Sequence, residues 1–153
     1  MKKIAAVLVL ACFAGSVLAQ QTLKPEEMIK IRKSGYSFMS WNMGKIKANL
    51  DGTFNKDQVI AAANVVAATA NSGMGALFAP GTENDVGDQK TRVKPEFFQP
   101  QNQDKLKEVA GNYIREANEL AKVAATGDVA AIKAQFGKTG GACKGCHDEF
   151  RKN

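Results

Sequence analysis

Cys143-Lys144-Gly145-Cys146-His147 ends six residues before the last residue of a 153-residue chain. Two cysteines separated by two residues and followed at once by histidine form the attachment pattern of a c-type haem. The thiols add across the two haem vinyl groups as thioethers, and the next residue offers an imidazole nitrogen to the iron as proximal ligand. Three other readings compete: thiol–disulfide exchange, half of a zinc site, and chance. Zinc wants four ligands, usually Cys and His. Beyond residue 20 the chain holds only Cys143, Cys146 and His147 of those types. A redox C-x-x-C usually opens a helix in a βαβ context, whereas this one lies near the end of a helical chain. The residues favour haem.

Working back from the motif, Val129, Ile132, Phe136, Gly140, Cys143, His147 and Phe150 follow one another at threes and fours. This is the period of a helix with one apolar face. Cys143 and His147 are therefore expected to continue a core-facing stripe, so that a haem hung from this helix lies within the fold. Gly140 and Gly141 each weaken a helix by about 1 kcal/mol relative to Ala. Either the missing side chains let the porphyrin approach the backbone, or the helix breaks before residue 142.

Three more helical patterns precede this one, and no segment shows sustained period-two alternation. The first starts near Pro25, with Glu26 and Glu27 at the positive end of the dipole. Met28, Ile31, Gly35, Phe38, Met39, Asn42, Ile46 and Leu50 form its stripe, and Asp51-Gly52 stops it. Asn55 with Gln58 resembles a capping box for a second helix carrying Val59, Ala63, Val66 and Ala70. Residues 79 to 101 form a connection long enough to imply a function, either crossing the bundle or wrapping a cofactor edge. The third helix runs from about Asn102 to Thr126, with Leu106, Val109, Tyr113, Ala117, Leu120 and Ala124 inward. Gly127 and Asp128 then serve as C-terminal cap and new N-cap. The expected fold is all-α, an antiparallel four-helix bundle with one covalently attached haem c.

Residues 1–19 read as a cleaved signal peptide. Lys2 and Lys3 form its charged region, Ile4 to Phe13 its apolar run, and Val17-Leu18-Ala19 its cleavage site. The apolar run is too short to span a membrane. Cys12 leaves a lipoprotein reading open, at the cost of an unusually short apolar region. Residues 20–153 form one domain. Losing Lys2 and Lys3 lowers the formal net charge from +6 to +4. The remaining basic residues are scattered among acids, which argues against nucleic acid. In bacteria c-type haem is attached outside the cytoplasm, so export to the periplasm fits the motif.

A haem motif this close to the end of the chain, together with Lys24-Pro25-Glu26-Glu27, Ile31-Arg32-Lys33 and Asp148-Glu149-Phe150-Arg151-Lys152, resembles the cytochrome c′ family. The resemblance spans residues 24 to 152 and implies a class II, usually high-spin, periplasmic cytochrome. It makes Cys143 and Cys146 the haem anchors and His147 the proximal ligand. Arg151 is implied beside the proximal face, although a cation there also complements the helix dipole. Arg32 matches a position near a haem propionate, with a solvated charge as the alternative. Lys33 corresponds to a polar position at the haem edge, and Pro80-Gly81-Thr82-Glu83 resembles a loop touching that edge through Thr82 and Glu83.

The sixth iron position decides what such a protein does. Met and His together give an electron-transfer haem, whereas an open or crowded face admits gases. Low-spin relatives place Met four residues after the first-helix basic residue, and here that residue is Tyr36. Methionines on an apolar stripe are usually core filler, and the chain has one histidine. The resemblance thus implies a five-coordinate haem binding NO and CO beneath Tyr36, without an enzymatic role. A redox partner protein is possible in addition. The alternative is a low-spin, six-coordinate electron carrier of the same class. The family also implies a homodimer through the first two helices, where Trp41 packs either at the interface or in the core.

Overall fold

The computed structural model describes residues 23–153. The signal peptide expected over 1–19, its cleavage site and Cys12 lie outside the described residues. Four helices are present: α1 (Pro25–Asp51), α2 (Lys56–Asn71), α3 (Gln103–Thr126) and α4 (Val129–Phe150). They form an antiparallel bundle in which each helix packs on the next, while α1 and α4 meet at few points. Among the described residues, none of these helices is long and apolar enough to cross a membrane.

Local chemistry sets the boundaries. Pro25 opens α1, and the Glu27 carboxylate accepts the Lys24 backbone N–H at 2.8 Å. Gly127 ends α3 with φ +77°, a left-handed conformation that costs a side-chain-bearing residue energy. Asp128 then caps α4 by accepting the backbone N–H groups of Ala130 and Ala131 at 3.0 Å each. At α2 the expected capping box is only half present. Asn55 accepts the Gln58 backbone N–H at 3.0 Å, but the Gln58 side chain turns away to Asn49. Asn49 supplies the missing half, accepting the Asn55 N–H at 2.9 Å. It is buried, and it tethers the end of α1 to the start of α2.

Apolar packing fills the half of the bundle around the α1–α2 and α3–α4 turns. Ile46, Val59, Ala62, Ala63, Leu120, Ala124 and Ile132 are fully buried there. Nearer the other end, Met39, Val66 and Ala117 form a smaller cluster with Tyr113 against it. The long connection stays at that end rather than crossing the bundle. Its short 3-10 turns (Met74–Leu77, Pro95–Phe98, Pro100–Asn102) hold it in shape, and it touches α1 and α4.

Two stripes differ from the sequence expectation. On α1 the buried face is Ile29, Arg32, Met39, Asn42, Ile46 and Asn49. Ile31 and Phe38, placed in the core from spacing, are instead 45% and 53% exposed, and Trp41 is 58% exposed. The helix therefore has two apolar faces, and spacing alone could not say which one the bundle covers. On α4 the buried positions are Ile132, Gln135, Thr139, Ala142 and Phe150. Cys143 is half-buried and His147 exposed, so the motif's stripe runs beside the core contact, not along it. Gln135 and Thr139 are buried because both donate to the Glu116 carbonyl of α3, at 3.2 and 3.1 Å.

Asn49→Ala should destabilise the protein by about 2 kcal/mol, because it leaves the Asn55 N–H and the Gln58 side chain without their partner. Urea unfolding measures this; an unchanged midpoint would mean that water replaces Asn49 at no cost.

Candidate haem site

Helix α4 runs unbroken through Gly140 and Gly141 into Cys143, Cys146 and His147. A break before residue 142 is thereby excluded. A Cβ added at either glycine would meet no other atom within 4 Å. Close packing against another helix is therefore not what keeps these positions free of side chains. In a helix, residues three and four apart share a face, so the two thiols and the imidazole project from one side of the last turns of α4.

Both thiols are half-buried, and desolvation pushes their pKa values up, with the neighbouring Cys143 also raising that of Cys146. A thiol-exchange pair needs the opposite, a thiolate stabilised at a helix N-terminus or beside cations. The residues thus fit two neutral thiols alkylated by a vinyl-bearing macrocycle, and the imidazole completes the donor set for its iron. Among the described residues, no three of His, Cys, Asp and Glu converge as a zinc site would require.

Arg151 ends α4, and its backbone N–H donates to the His147 carbonyl at 3.0 Å. Its guanidinium Nη1 lies 3.3 Å from His147 Nδ1. Desolvation first, and the Arg151 charge second, hold the imidazole pKa below its ordinary value, which favours the neutral ring that metals bind. Sequence reasoning placed Arg151 on this face, and it lies there. Val93 bridges to Arg151, and the Lys152 N–H donates to the Arg92 carbonyl at 2.7 Å, so the chain end is pinned to the long connection.

Across the α1–α4 seam, Arg32 is 4% exposed. Its guanidinium donates to the Leu77 carbonyl (3.1 Å), Thr82 Oγ1 (3.0 Å), the Thr82 carbonyl (3.1 Å) and Thr91 Oγ1 (2.9 Å). The Phe78 ring lies beneath it at 4.4 Å. All these partners are neutral, and burial lowers the Arg32 pKa. A solvated surface charge, the alternative reading of Arg32, is ruled out. Thr82 is fully buried as its partner. The Glu83 carboxylate instead accepts the Gly81 N–H at 2.7 Å within its own turn, so it shapes the loop without reaching Arg32. Lys33 is exposed, with no hydrogen bond or ion pair among the described residues.

Tyr36 packs edge-on to Phe78, with ring centroids 6.4 Å apart. The residue is 36% exposed, yet desolvation above all, with Cys146 and Cys143 adding to it, pushes its hydroxyl pKa up. One turn on, the Met39 sulfur accepts from Tyr113 Oη at 2.6 Å. Thr91, Phe78 and the Met39–Tyr113 pair escaped sequence reasoning. Tyr113 and Met39 were both placed on inward stripes and could have been paired on that basis. Nothing in the local sequence marks Thr91.

A four-helix bundle with two thiols and an imidazole on its last helix defines a helical c-type cytochrome. Comparison with known proteins makes the class specific. The sequence profile described as Cytochrome C′ matches residues 27–151. A cytochrome c′ of Allochromatium vinosum is 60% identical over 129 residues, covering 84% of this chain and 82% of the relative. A solved cytochrome c′ with ligand-controlled dimer dissociation superposes with a TM-score of 0.82 at 59% identity, covering 86% of this chain and 98% of that one. A ferrous variant from Alcaligenes xylosoxidans with bound NO superposes at 0.72 and 27% identity, covering 85% and 97%. The chain belongs to the cytochrome c′ family, and its cofactor is a covalently attached haem c.

The site's two tyrosines should titrate late. Desolvation pushes Tyr36 from 10.0 up to about 12 and Tyr113 further still. The folded state holds these protons more tightly than the unfolded chain does. Their contribution to stability is therefore complete below pH 10.0 and is lost as pH climbs toward the folded values. Ultraviolet phenolate absorbance should rise at ordinary alkaline pH only after unfolding; a native phenolate near pH 10.0 would mean that a hydroxyl faces solvent.

Proposed function

We infer that this is a periplasmic, high-spin cytochrome c′ that binds NO and CO on a face crowded by Tyr36, with electron transfer as a second role. In this reading Cys143 and Cys146 carry the thioethers and His147 is the proximal ligand. When bound, the haem supplies an iron whose ferrous form has affinity for diatomic gases. The chain's own residues decide access. One observation carries the reading: the sulfur of Met39, one turn beyond Tyr36 on α1, is already engaged. Tyr113 donates to the Met39 sulfur, which leaves a neutral phenol, a poor ligand, as the side chain beside the two cysteines.

Arg32 supports the same assignment from the other side. Its buried guanidinium has only neutral oxygens around it, so a carboxylate such as a haem propionate is the partner its charge lacks. Thr82 and Thr91 fix the guanidinium in place beforehand. Arg151 acts on the imidazole as a donor-only neighbour.

The second apolar face of α1 supports a homodimer. Ile31, Gly35 and Phe38 line a groove of about 450 Å³ with Val65 and Ala68 of α2 and with Met74. Gly35 lies next to Tyr36 in the chain, and a Cβ there would meet the Met74 side chain at 2.9 Å. A shift of α1 that makes room for a gas beside Tyr36 is thus felt at the groove. This is a physical route to the ligand-controlled dissociation described for the similar cytochrome c′.

Tyr36→Ala should admit CO faster and more tightly, each tenfold gain corresponding to about 1.4 kcal/mol of relieved crowding. Tyr36→Phe keeps the bulk and should change affinity less. Unaltered CO binding in Tyr36→Ala would remove Tyr36 from this role, and a low-spin reduced spectrum of the wild type would replace the gas-binding reading with the six-coordinate carrier.

Sedimentation with and without CO tests the assembly. A dimer that loosens on CO binding is expected, and a monomer at micromolar concentration without CO would overturn it.

A further inference from the structure

Beside the proximal imidazole the surface forms a second, polar groove of about 430 Å³, lined by Arg92, Lys94, His147, Asp148, Arg151 and Lys152. Four of these six side chains are cations, and what they bind is informative. Arg92 Nε donates to the Lys152 carbonyl at 3.2 Å. The Lys94 ammonium donates to the Asp148 and Glu149 carbonyls at 3.0 Å each, and that of Lys152 to the Glu83 carbonyl at 2.7 Å. Arg151 lies against His147. Carbonyl oxygens fix these side chains without neutralising them.

Two of the nearby acids are committed elsewhere. Asp148 pairs with Lys144, and the Glu83 carboxylate is bound within its own turn. Lys105, Lys107 and Lys122, on α3, pair with Glu108, Asp104 and Glu119 instead. Four cations and one carboxylate thus surround an exposed imidazole, and none of the four is paired with an acid among the described residues.

We propose that this groove is the docking surface for an acidic electron-carrier protein, seated over His147. The partner class rests on the haem-ligand reading of His147, which makes the imidazole a direct protein contact to the iron. Charge complementarity selects the occupant, because opposed charges steer association and fix register. Pinning of the last residues to the long connection pre-orders Arg92, Arg151 and Lys152, so little side-chain entropy is lost on docking. Nucleic acid would need a longer basic track.

The holoprotein, with haem c verified by its alkaline pyridine spectrum, is titrated calorimetrically with a small acidic [2Fe–2S] ferredoxin at low salt. Wild type is expected to bind, and Arg92→Gln combined with Lys152→Gln to weaken binding by about tenfold or more. Lys122→Gln with Lys133→Gln removes the same charge at the far end of the bundle and should change affinity by less than about twofold, being beyond the screening length. Arg92→Lys keeps the charge and should bind as wild type. Equal losses in the two double variants would reduce the effect to net charge and overturn the proposal. So would a loss in Arg92→Lys matching that of Arg92→Gln alone, or no wild-type binding at low salt. Absence of the haem c spectrum would refute the haem reading instead, while the isotherm would still report on the surface.

Discussion

A guanidinium buried among neutral oxygens holds the two sides of this site in register. Moving a charged group out of water costs several kcal/mol unless its surroundings replace the lost solvation. Arg32 meets that cost with two threonine hydroxyls, two backbone carbonyls and an aromatic face. Each partner belongs to the connection between α2 and α3. The long connection is thereby fastened to α1 where it passes the site, and Tyr36 is presented one turn further along the same helix. The arrangement neutralises nothing, so the positive charge remains available to an anion.

At the opposite wall α4 carries the anchoring residues on a face that neither core cluster covers. The fold assigns different jobs to adjacent stripes of one helix. Ile132, Gln135, Thr139 and Ala142 lock α4 to its neighbours, while Phe136, Gly140, Cys143 and His147 remain beside that contact. Gly140 lies on the second stripe, and a Cβ there would meet no neighbouring element within 4 Å. Polar residues make sense only on the first, where Glu116 of α3 offers its carbonyl.

Much of this was legible in the chain. Cys143-Lys144-Gly145-Cys146-His147 names its own chemistry, and Gly127-Asp128 and Asn55 mark helix ends through local hydrogen bonding, which sequence encodes directly. What stayed hidden depends on contacts between distant segments. Periodicity finds an apolar face but cannot choose between two, so it turns Ile31 and Phe38 inward with Met39, Asn42 and Ile46, whereas the bundle covers those last three together with Ile29 and Arg32. Arg32 could be placed at the site by resemblance, but its threonine partners lie 50 and 59 residues away. Gln58 reads as a reciprocal cap from local spacing, while its actual partner Asn49 lies nine residues earlier, across the turn between α1 and α2.

The open α1–α4 seam also bears on how the molecule assembles. Helices α1 with α2 and α3 with α4 are joined by short turns, so much of the packing is between near neighbours in sequence. Such local contacts form quickly because little loop entropy is spent before they are rewarded. The seam is the opposite case. Arg32 must find Thr82 and Thr91, and the last turn of α4 must find the strand-like stretch near Val93, over long separations. The functional face is therefore expected to form late, after the helical hairpins whose contacts are local. Substitutions there are expected to act chiefly on the rate of unfolding, so the residues of this face can vary without impeding the chain's route to its fold.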